Sequence, residues 1–548
     1  MSRTRVLFCY FFIVIIASFI IVANNSKHIY PVIISVLSYI FIVSAVFTTS
    51  RRWLFSLVLS SSLFITLKLI DQIKIHYYKE KLLFPDFYLI FDSANAETLA
   101  HYWLAGVAMI ALLLWLLLNA VLSWRCHPVT RKTPYRLAAV VLIPICLFGI
   151  TNITDRCHRI WEETLPKGTG TLTNIIMSAS DSYYQPPQYP GTSAYFLEKA
   201  QTVTLPATQS DIRPDIVVLL HESTVNPLIY QLPDQSVIPP LFTFQHDDHV
   251  SAQSLMRVHT FGGGTWLSEF SVLTGLNPDD FGSRKNAVFY TVIDHIAASL
   301  FQEMKANGYY TVVLTPFNKS AYHAGHAYQT LGVDRIIQPQ ELGYPGRLSE
   351  NLWNIPTHDV LKYVKTLIGQ KTDKPIFVYV LTMAEHGPYD DGHKDDFNLN
   401  EHISNPGTAG KFSHYVEKIT ASDAAIKEFS HYVAENERPM MFLYFGDHQP
   451  GIGFNQYRIK QNNPAYISQF TLRDNLTSGQ HIKTGELTDI SFIGGIILER
   501  ARLNISPFYQ ANIQMRHLCS GMLDDCQDKT LLDSYKKYIY HDLKIAGE

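Results

Sequence analysis

Residues 213–224 read R-P-D-I-V-V-L-L-H-E-S-T. The run Asp215–Leu220 is aliphatic without alternation, the pattern of a strand covered on both faces in a parallel sheet rather than one with a solvated side. It ends abruptly in ionisable and hydroxyl groups: His221, Glu222, Ser223 and Thr224. Three further runs share its length and its wealth of β-branched and aromatic residues: Tyr310–Leu314, Ile376–Leu381 and Met440–Phe445. Segments with helical spacing, such as Thr291–Asn307 and His358–Ile368, lie between them. This alternation predicts an α/β domain on a mostly parallel central sheet covered by helices.

Upstream the character changes. Apolar runs cover about Val6–Ala23, Tyr30–Phe47, Trp53–Ile70, Trp103–Leu122 and Leu137–Ile153, the last with Pro144 inside it. A membrane crossing needs roughly 20 apolar residues, so the expectation is an N-terminal bundle of about five transmembrane α-helices. Arg3 and Arg5 precede the first run, Arg51 and Arg52 separate the second from the third, and Arg125, Arg131, Lys132 and Arg136 separate the fourth from the fifth. The alternate loops hold only Lys27, then Lys74, Lys79 and Lys81. The positive-inside rule puts the N-terminus in the cytoplasm and everything after about residue 155 outside it. No small-residue cleavage site follows the first run, which favours an uncleaved anchor. Residues 1–155 are thus read as the membrane anchor, 156–213 as a linker rich in Gly, Pro, Ser and Tyr, and 214–548 as an extracytoplasmic domain. The stretch Asp71–Tyr102, mixing aromatics with charges, suits an interfacial helix or a cap on the bundle.

A formal net charge of −3 leaves no basic field for phosphate backbones and argues against a nucleic-acid partner. Cys519 and Cys526 bracket a short loop and suit a disulfide in an oxidising compartment, or two free thiols.

Function is concentrated at the strand ends. After Ile376–Leu381 comes T-M-A-E-H-G-P-Y, with Glu385 and His386; after Met440–Phe445 comes G-D-H-Q-P, with Asp447 and His448. In open α/β sheets ligands bind beyond the carboxyl ends of the strands, so three strands deliver carboxylate and imidazole groups to one edge. Carboxylate oxygens with an imidazole nitrogen suit one divalent ion, Mn²⁺ or Zn²⁺, with Mg²⁺ also compatible. The segment H-T-F-G-G-G-T-W-L-S-E-F-S-V-L-T-G-L, residues 259–276, offers a hydroxyl: Gly262–Gly264 make a turn and Thr265 opens a helical pattern. At a helix N-terminus a phosphate is favoured, and a metal-bound hydroxyl becomes a nucleophile. Read alone, Thr265 equally suits an N-cap.

Together E-S-T (222–224), G-G-T-W-L-S-E-F (263–270), H-G-P (386–388) and F-G-D-H-Q (445–449) resemble the alkaline phosphatase superfamily. The branch they resemble is the sulfatase-like lipoteichoic acid synthase and phosphoglycerol transferase group, over about Pro214–Leu498. The resemblance implies an alkaline phosphatase-like fold with Glu222, Thr265, Asp447 and His448 as metal ligands and Thr265 as nucleophile. It implies that His386 binds the transferred phosphate or acts as acid and base. No C-x-P-x-R motif surrounds any cysteine, so sulfate ester hydrolysis is not expected. Lipid A phosphoethanolamine transferases share the core but differ in nucleophile context and disulfides. Where teichoic-acid enzymes present His, Trp and Arg, this chain has T-P-F-N-K-S-A-Y-H-A-G-H. Asn318, Tyr322 and His323, with Lys319 and His326, are the candidates for substrate contacts there.

The expected activity is metal-dependent transfer of a phospholipid head group through a covalent Thr265 intermediate to a periplasmic or cell-envelope glycan such as a periplasmic glucan. Phosphoglycerol from phosphatidylglycerol is the first choice, and phosphoethanolamine from phosphatidylethanolamine the alternative. A phosphodiesterase using water as acceptor and a non-catalytic, glycan-binding membrane protein are the rivals. The expected location is the bacterial inner membrane, multi-pass, with the catalytic domain periplasmic.

Overall fold

The computed structural model describes residues 3–23, 28–126, 129, 133–164, 170–181, 183–208, 213–370, 373–476 and 481–547. Lys27, Arg131 and Lys132, counted above in the charge balance, lie outside the described residues. The chain forms two compact units, Met1–Tyr183 and Tyr184–Glu548.

In the first unit the five apolar runs become helices α1 (Arg3–Ala23), α2 (Ile29–Ser50), α3 (Trp53–Tyr78), α6 (Trp103–Cys126) and α7 (Thr133–Thr164). Four of them are long and apolar enough to cross a membrane, and α1 carries a shorter apolar stretch, Arg5–Ile21. The buried surfaces of α2 and α3 are rich in small hydroxyl residues, among them Ser35, Ser38, Ser44, Ser60, Ser61 and Ser62. Small side chains let helices approach closely where no water drives association. Ser61 Oγ accepts from Ser18 at 3.0 Å and lies 2.9 Å from the Tyr39 hydroxyl. The large apolar side chains of α6, such as Leu104, Val107, Ile110 and Leu114, point outward and are exposed, as lipid-facing residues should be.

Between α3 and α6 there is no single long interfacial helix. Instead α3 runs two turns past Ile70, and the chain returns through α4 (Asp86–Phe91) and α5 (Ala96–His101). Lys74 Nζ binds Asp86 at 2.6 Å and fixes this return. Phe91 remains 80% exposed beside it.

The stretch read as a linker is divided between the units. Helix α7 extends to Thr164, and α8 (Thr171–Ser180) packs on α2, α3 and α7. From Tyr184 onward the chain belongs to the second unit. Proline blocks a long helix here, yet the aromatics dock the segment. Tyr184 stacks on His295 at 3.6 Å, Tyr189 donates to Asp280 at 2.8 Å, and Phe196 of α9 (Ala194–Ala200) is fully buried against Tyr535 and Tyr538.

The second unit is built on one eight-stranded sheet. Its strands are β1 (Asp215–His221), β2 (Val250–Arg257), β3 (Tyr310–Leu314), β4 (Arg335–Ile337), β5 (Ile376–Leu381), β6 (Met440–Gly446), β7 (Ile467–Asp474) and β8 (Leu487–Asp489). The order is β4-β3-β5-β1-β6-β7-β2-β8, parallel from β4 to β6, with β7 antiparallel to both its neighbours. All four expected strands are present. β1 lies between β5 and β6, in register Leu219↔Val380 and Leu219↔Tyr444, and every residue of the three is buried. The helix expected over Thr291–Asn307 is shorter, Leu300–Ala306, because Ser299 caps it by accepting from Gln302 N–H. The helix Thr357–Gly369 matches its expectation closely. On one face of the sheet Val217, Leu219, Val378, Val380 and Phe442 pack with Val364, Ile426 and Phe429 from the helices above.

Candidate active site at the strand tips

The adjacency of β5, β1 and β6 brings their C-terminal ends together. Glu222 follows β1, Glu385 and His386 follow β5, and Asp447 and His448 follow β6. One ligand atom each from Glu222, Asp447 and His448 lies within 4.8 Å of the others, and all three residues are buried. Thr265 joins them from the other side as the first residue of α10 (Thr265–Thr274). Its hydroxyl donates to Glu222 Oε2 at 3.3 Å.

Local backbone geometry holds these groups. Gly262, Gly263 and Gly264 all have positive φ, at 68°, 150° and 77°, which only glycine adopts without strain. Gly262 N–H donates to Gln449 O at 3.1 Å, and Ser268 Oγ of α10 donates to Asp447 O at 2.6 Å. The Gly262–Ser268 segment and the Asp447 tip are therefore fastened at two points. Ser223, at φ 51°, turns its N–H onto Asp447 Oδ1 at 2.8 Å and its hydroxyl onto Glu222 Oε1 at 2.8 Å.

The arrangement fits a divalent cation. His448 Nδ1 lies 3.0 Å from the Gln449 carbonyl, which fixes the ring and turns Nε2 to within 3.2 Å of Asp447 Oδ2 and 3.6 Å of Glu222 Oε1. Among the described residues Asp447 Oδ2 and His448 Nε2, both buried, have no hydrogen-bond partner, and such orphans demand an explanation. Burial, with the negative charges of Asp447 and Glu385, pushes the Glu222 carboxyl well above the usual range. A positive ion among these atoms would satisfy the orphans and relieve the like-charge crowding. Oxygen and imidazole donors suit Zn²⁺ or Mn²⁺.

His386 stands beside this group, Nε2 3.9 Å from Glu222 Oε1, with Nδ1 2.6 Å from its neighbour's carbonyl, Gly387 O. Lys418 donates to the carbonyls of Ala384 at 2.8 Å and His386 at 3.1 Å, holding the loop. Beneath lies a buried contact that sequence reasoning did not assign, His221 with Glu385. Burial raises the Glu385 carboxyl, but His221 together with hydrogen bonds from Thr357 and Thr382 outweighs it and holds the group down at about 2. The signal was present, because each residue immediately precedes a site residue.

The residues proposed for substrate contacts separate into three settings. Tyr322 donates to Glu269 Oε1 at 2.9 Å, and Tyr328 donates to the other oxygen. Burial lifts the Glu269 carboxyl to about 8 against the pull of both tyrosines. Tyr322 and His323 occupy the left-handed region at φ 39° and 64°, strain of the kind that clusters at functional sites. The Tyr322 ring packs between Trp266 and Phe317; Trp353 follows, 5.1 Å from the His386 ring. His323 stacks on Tyr290, and His326 pairs with Asp294 at 2.6 Å. Asn318 makes turn contacts, its Oδ1 accepting from Ser320 N–H, and Lys319 pairs with Glu341 at 2.6 Å.

A family model for sulfatases matches residues 214–474, the segment that carries every residue of this cluster. The chain belongs to the sulfatase family of the alkaline phosphatase superfamily. An uncharacterized protein of Haemophilus influenzae is 35% identical over 535 residues, covering 95% of this chain and 96% of its own length. A lipoteichoic acid synthase-like protein of Bacillus subtilis is 22% identical over 404 residues, 68% of this chain and 60% of that protein. Among solved structures, the Streptococcus pyogenes phosphoglycerol transferase in complex with sn-glycerol-1-phosphate aligns over 66% of this chain and 95% of its own. It does so with a TM-score of 0.49 and 19% identity.

Proposed function

We propose that this chain is a membrane-anchored phosphotransferase that moves a phospholipid head group, phosphoglycerol in the first instance, onto an envelope glycan through Thr265. The observation that carries this reading is the convergence of Thr265 with the orphaned atoms of Asp447 and His448 around Glu222. When bound, a divalent ion lowers the pKa of the Thr265 hydroxyl and offsets charge on the phosphoryl oxygens. Thr265 Oγ passes its proton to Glu222 Oε2, the acceptor of its hydrogen bond, and attacks phosphorus. The bond to the diacylglycerol oxygen breaks, the head group stays on Thr265 as a phosphate ester, and the proton returns to Thr265 when the glycan displaces it. His386 protonates the departing oxygen, then accepts the proton of the glycan hydroxyl that displaces Thr265. The positive end of α10 favours the phosphoryl charge throughout. Glu222, Asp447 and His448 would hold the metal.

The apolar helices of the first unit give the reading its logic, since a phospholipid donor lives in the bilayer. The basic residues at alternate loops support an extracytoplasmic second unit, in the periplasm of a bacterium whose inner membrane holds the anchor. The test is mass spectrometry of the Thr265 peptide after incubation with labelled phosphatidylglycerol or phosphatidylethanolamine. An added glycerophosphoryl mass is expected. An ethanolamine phosphate adduct would instead select the second head group, and free glycerol phosphate regardless of added glycans would establish a phosphodiesterase. An unmodified Thr265 with no lipid turnover would refute the proposal in favour of a non-catalytic glycan-binding role.

A further inference from the structure

Glu269 is a buried carboxylate beside the site that the reaction above leaves without a task. It lies about one helical turn after Thr265 on α10 and is fully buried. Its two oxygens accept from the Tyr322 and Tyr328 hydroxyls, and among the described residues it forms no ion pair. Burying such a group is costly, so its effect is to be sought in the phenols it holds.

The two tyrosines differ in setting. Tyr328 belongs to the helix Ala324–Thr330, is fully buried, and meets one ring among the described residues, Phe289. Tyr322 belongs to the preceding turn, where it and His323 both occupy the left-handed region. Two successive non-glycine residues keep that conformation only where their surroundings impose it. The base of the turn is tied by Asn318 N–H to Asn351 Oδ1 at 2.6 Å and by Gly325 N–H to Lys319 O at 2.7 Å. Its apex is tied by Tyr322 donating to Glu269 Oε1 at 2.9 Å. Burial, with the charges of Glu269 and Glu222, pushes the Tyr322 phenol up, so the hydroxyl stays protonated and keeps donating. A phenol has one O–H, and Tyr322 therefore has none left to give a substrate. What it presents is its ring, 5.8 Å from that of Trp266 and 5.7 Å from that of Phe317. Trp266 adjoins Thr265, and Phe317 meets Trp353, which meets His386. The Tyr322 ring is thus the middle of an aromatic wall running from the nucleophile to the acid–base.

We propose that Glu269 is a positioning residue: through Tyr322 it locks the strained turn, and with it the aromatic wall against which the transferred head group lies. The substrate part of this inference rests on the phosphotransferase reading of Thr265. The lock itself is a property of the fold and can be read without any substrate.

The test uses the full chain with labelled phosphatidylglycerol or phosphatidylethanolamine in detergent mixed micelles. Glu269→Leu removes both acceptors and should raise KM about tenfold, the worth of one hydrogen bond to a charged group, with kcat within about twofold. Tyr322→Phe should do the same, and the two changes together no more than either alone. Glu269→Gln should keep the parent KM, because its amide oxygen accepts from Tyr322 while its NH₂ donates to the Tyr328 oxygen. Tyr328→Phe takes a hydrogen bond from the same carboxylate and should lower the melting temperature as much as Tyr322→Phe, yet leave KM alone. Hydrogen exchange across residues 317–326 should quicken about tenfold in Glu269→Leu and Tyr322→Phe and hold the parent rate in Tyr328→Phe. Should Glu269→Leu not fold, Tyr322→Phe, which keeps the buried ring, decides the matter. A parent chain that turns over neither lipid would count against the transferase reading, and exchange would then judge the lock by itself. KM and exchange unmoved by Tyr322→Phe, or moved equally by Tyr328→Phe, would overturn the proposal.

Discussion

His221 Nε2 lies 3.2 Å from Glu385 Oε1, with both side chains buried; the pair joins the ends of β1 and β5 directly beneath Glu222 and His386. Thr357 donates to the same Glu385 oxygen, and Ser422 lies 3.0 Å from His221 Nε2. Removing either group leaves buried polar atoms of the other without this partner, which costs about 1–3 kcal/mol. Glu385→Leu and His221→Leu should each lower the thermal midpoint of the detergent-solubilised protein. The double variant His221→Leu/Glu385→Leu should recover part of that loss, giving a large coupling in the double-mutant cycle. Additive effects would show that the two groups do not interact.

Metal dependence should appear in stability as well as activity. A ligand that binds only the folded state stabilises by about 2.7 kcal/mol at 100 times its dissociation constant. EDTA is therefore expected to lower the melting temperature, and Mn²⁺ or Zn²⁺ to restore it. Asp447→Asn should abolish the restoration, because the orphaned Oδ2 is the atom it replaces. A midpoint that ignores both chelator and ion would contradict the metal assignment.

Gly446 closes β6 immediately before Asp447. A Cβ there would stand 1.6 Å from Thr224 O and 2.5 Å from Ser468 Oγ. Because backbone must move, Gly446→Ala should exceed the common range of about 0.5–3 kcal/mol and displace both Glu222 and Asp447. Gly369→Ala, with no described residue within 4 Å of its Cβ, serves as the neutral control within about 0.5 kcal/mol. Denaturation midpoints of the two variants compare them directly.

His259, six residues before Thr265, anchors the loop leading to it between Asp279 at 2.9 Å and Asp489 at 3.4 Å. Burial opposes its charge, but Asp489 and Asp279 outweigh burial and raise the imidazole from its ordinary 6.5 to about 10. Since the folded value is the higher, the stabilisation is complete below about 6.5 and fades as pH rises toward 10. Thermal midpoints measured from pH 6 to 10 should fall for the parent chain, and His259→Gln should flatten that slope. An unchanged slope would assign the pH dependence to another group.

Cys519 and Cys526 are bridged, resolving the choice that their spacing left open. Closing so short a loop constrains the unfolded chain by about 2 kcal/mol. Reductant should lower the midpoint by the corresponding few degrees, and Cys519→Ser/Cys526→Ser should make it insensitive to reductant.

The parts of this molecule legible in its sequence were those with a local signature. Continuous apolar runs identified β1, β3, β5 and β6, and their polar sequels located Glu222, His386, Asp447 and His448. Strand β2 was missed because V-S-A-Q-S-L-M-R alternates only over its first four residues, while burial alternates toward its C-terminal half, with Ser254 buried and Leu255 only partly so. That pattern is shorter and weaker than a buried run. β4 and β8, at three residues each, exist only because neighbours pair with them. Tyr322 was singled out without its partner, since Glu269 lies fifty-three positions away and only the fold joins them. The docking of Tyr184–Ala200 was likewise invisible, because proline-rich composition reports the absence of a long helix, not the presence of aromatic contacts.

The placement of the site on three adjacent inner strands has a consequence for how the protein opens. Backbone amides of β1, β5 and β6 have hydrogen-bonded neighbours on both sides, so they can exchange with solvent only when the sheet itself comes apart. The floor that carries Glu222 and Asp447 thus belongs to the last cooperative unit to unfold, and no local fluctuation can release one ligand strand alone. An ion bound at those tips would slow deuterium uptake throughout the sheet, far from any atom it touches.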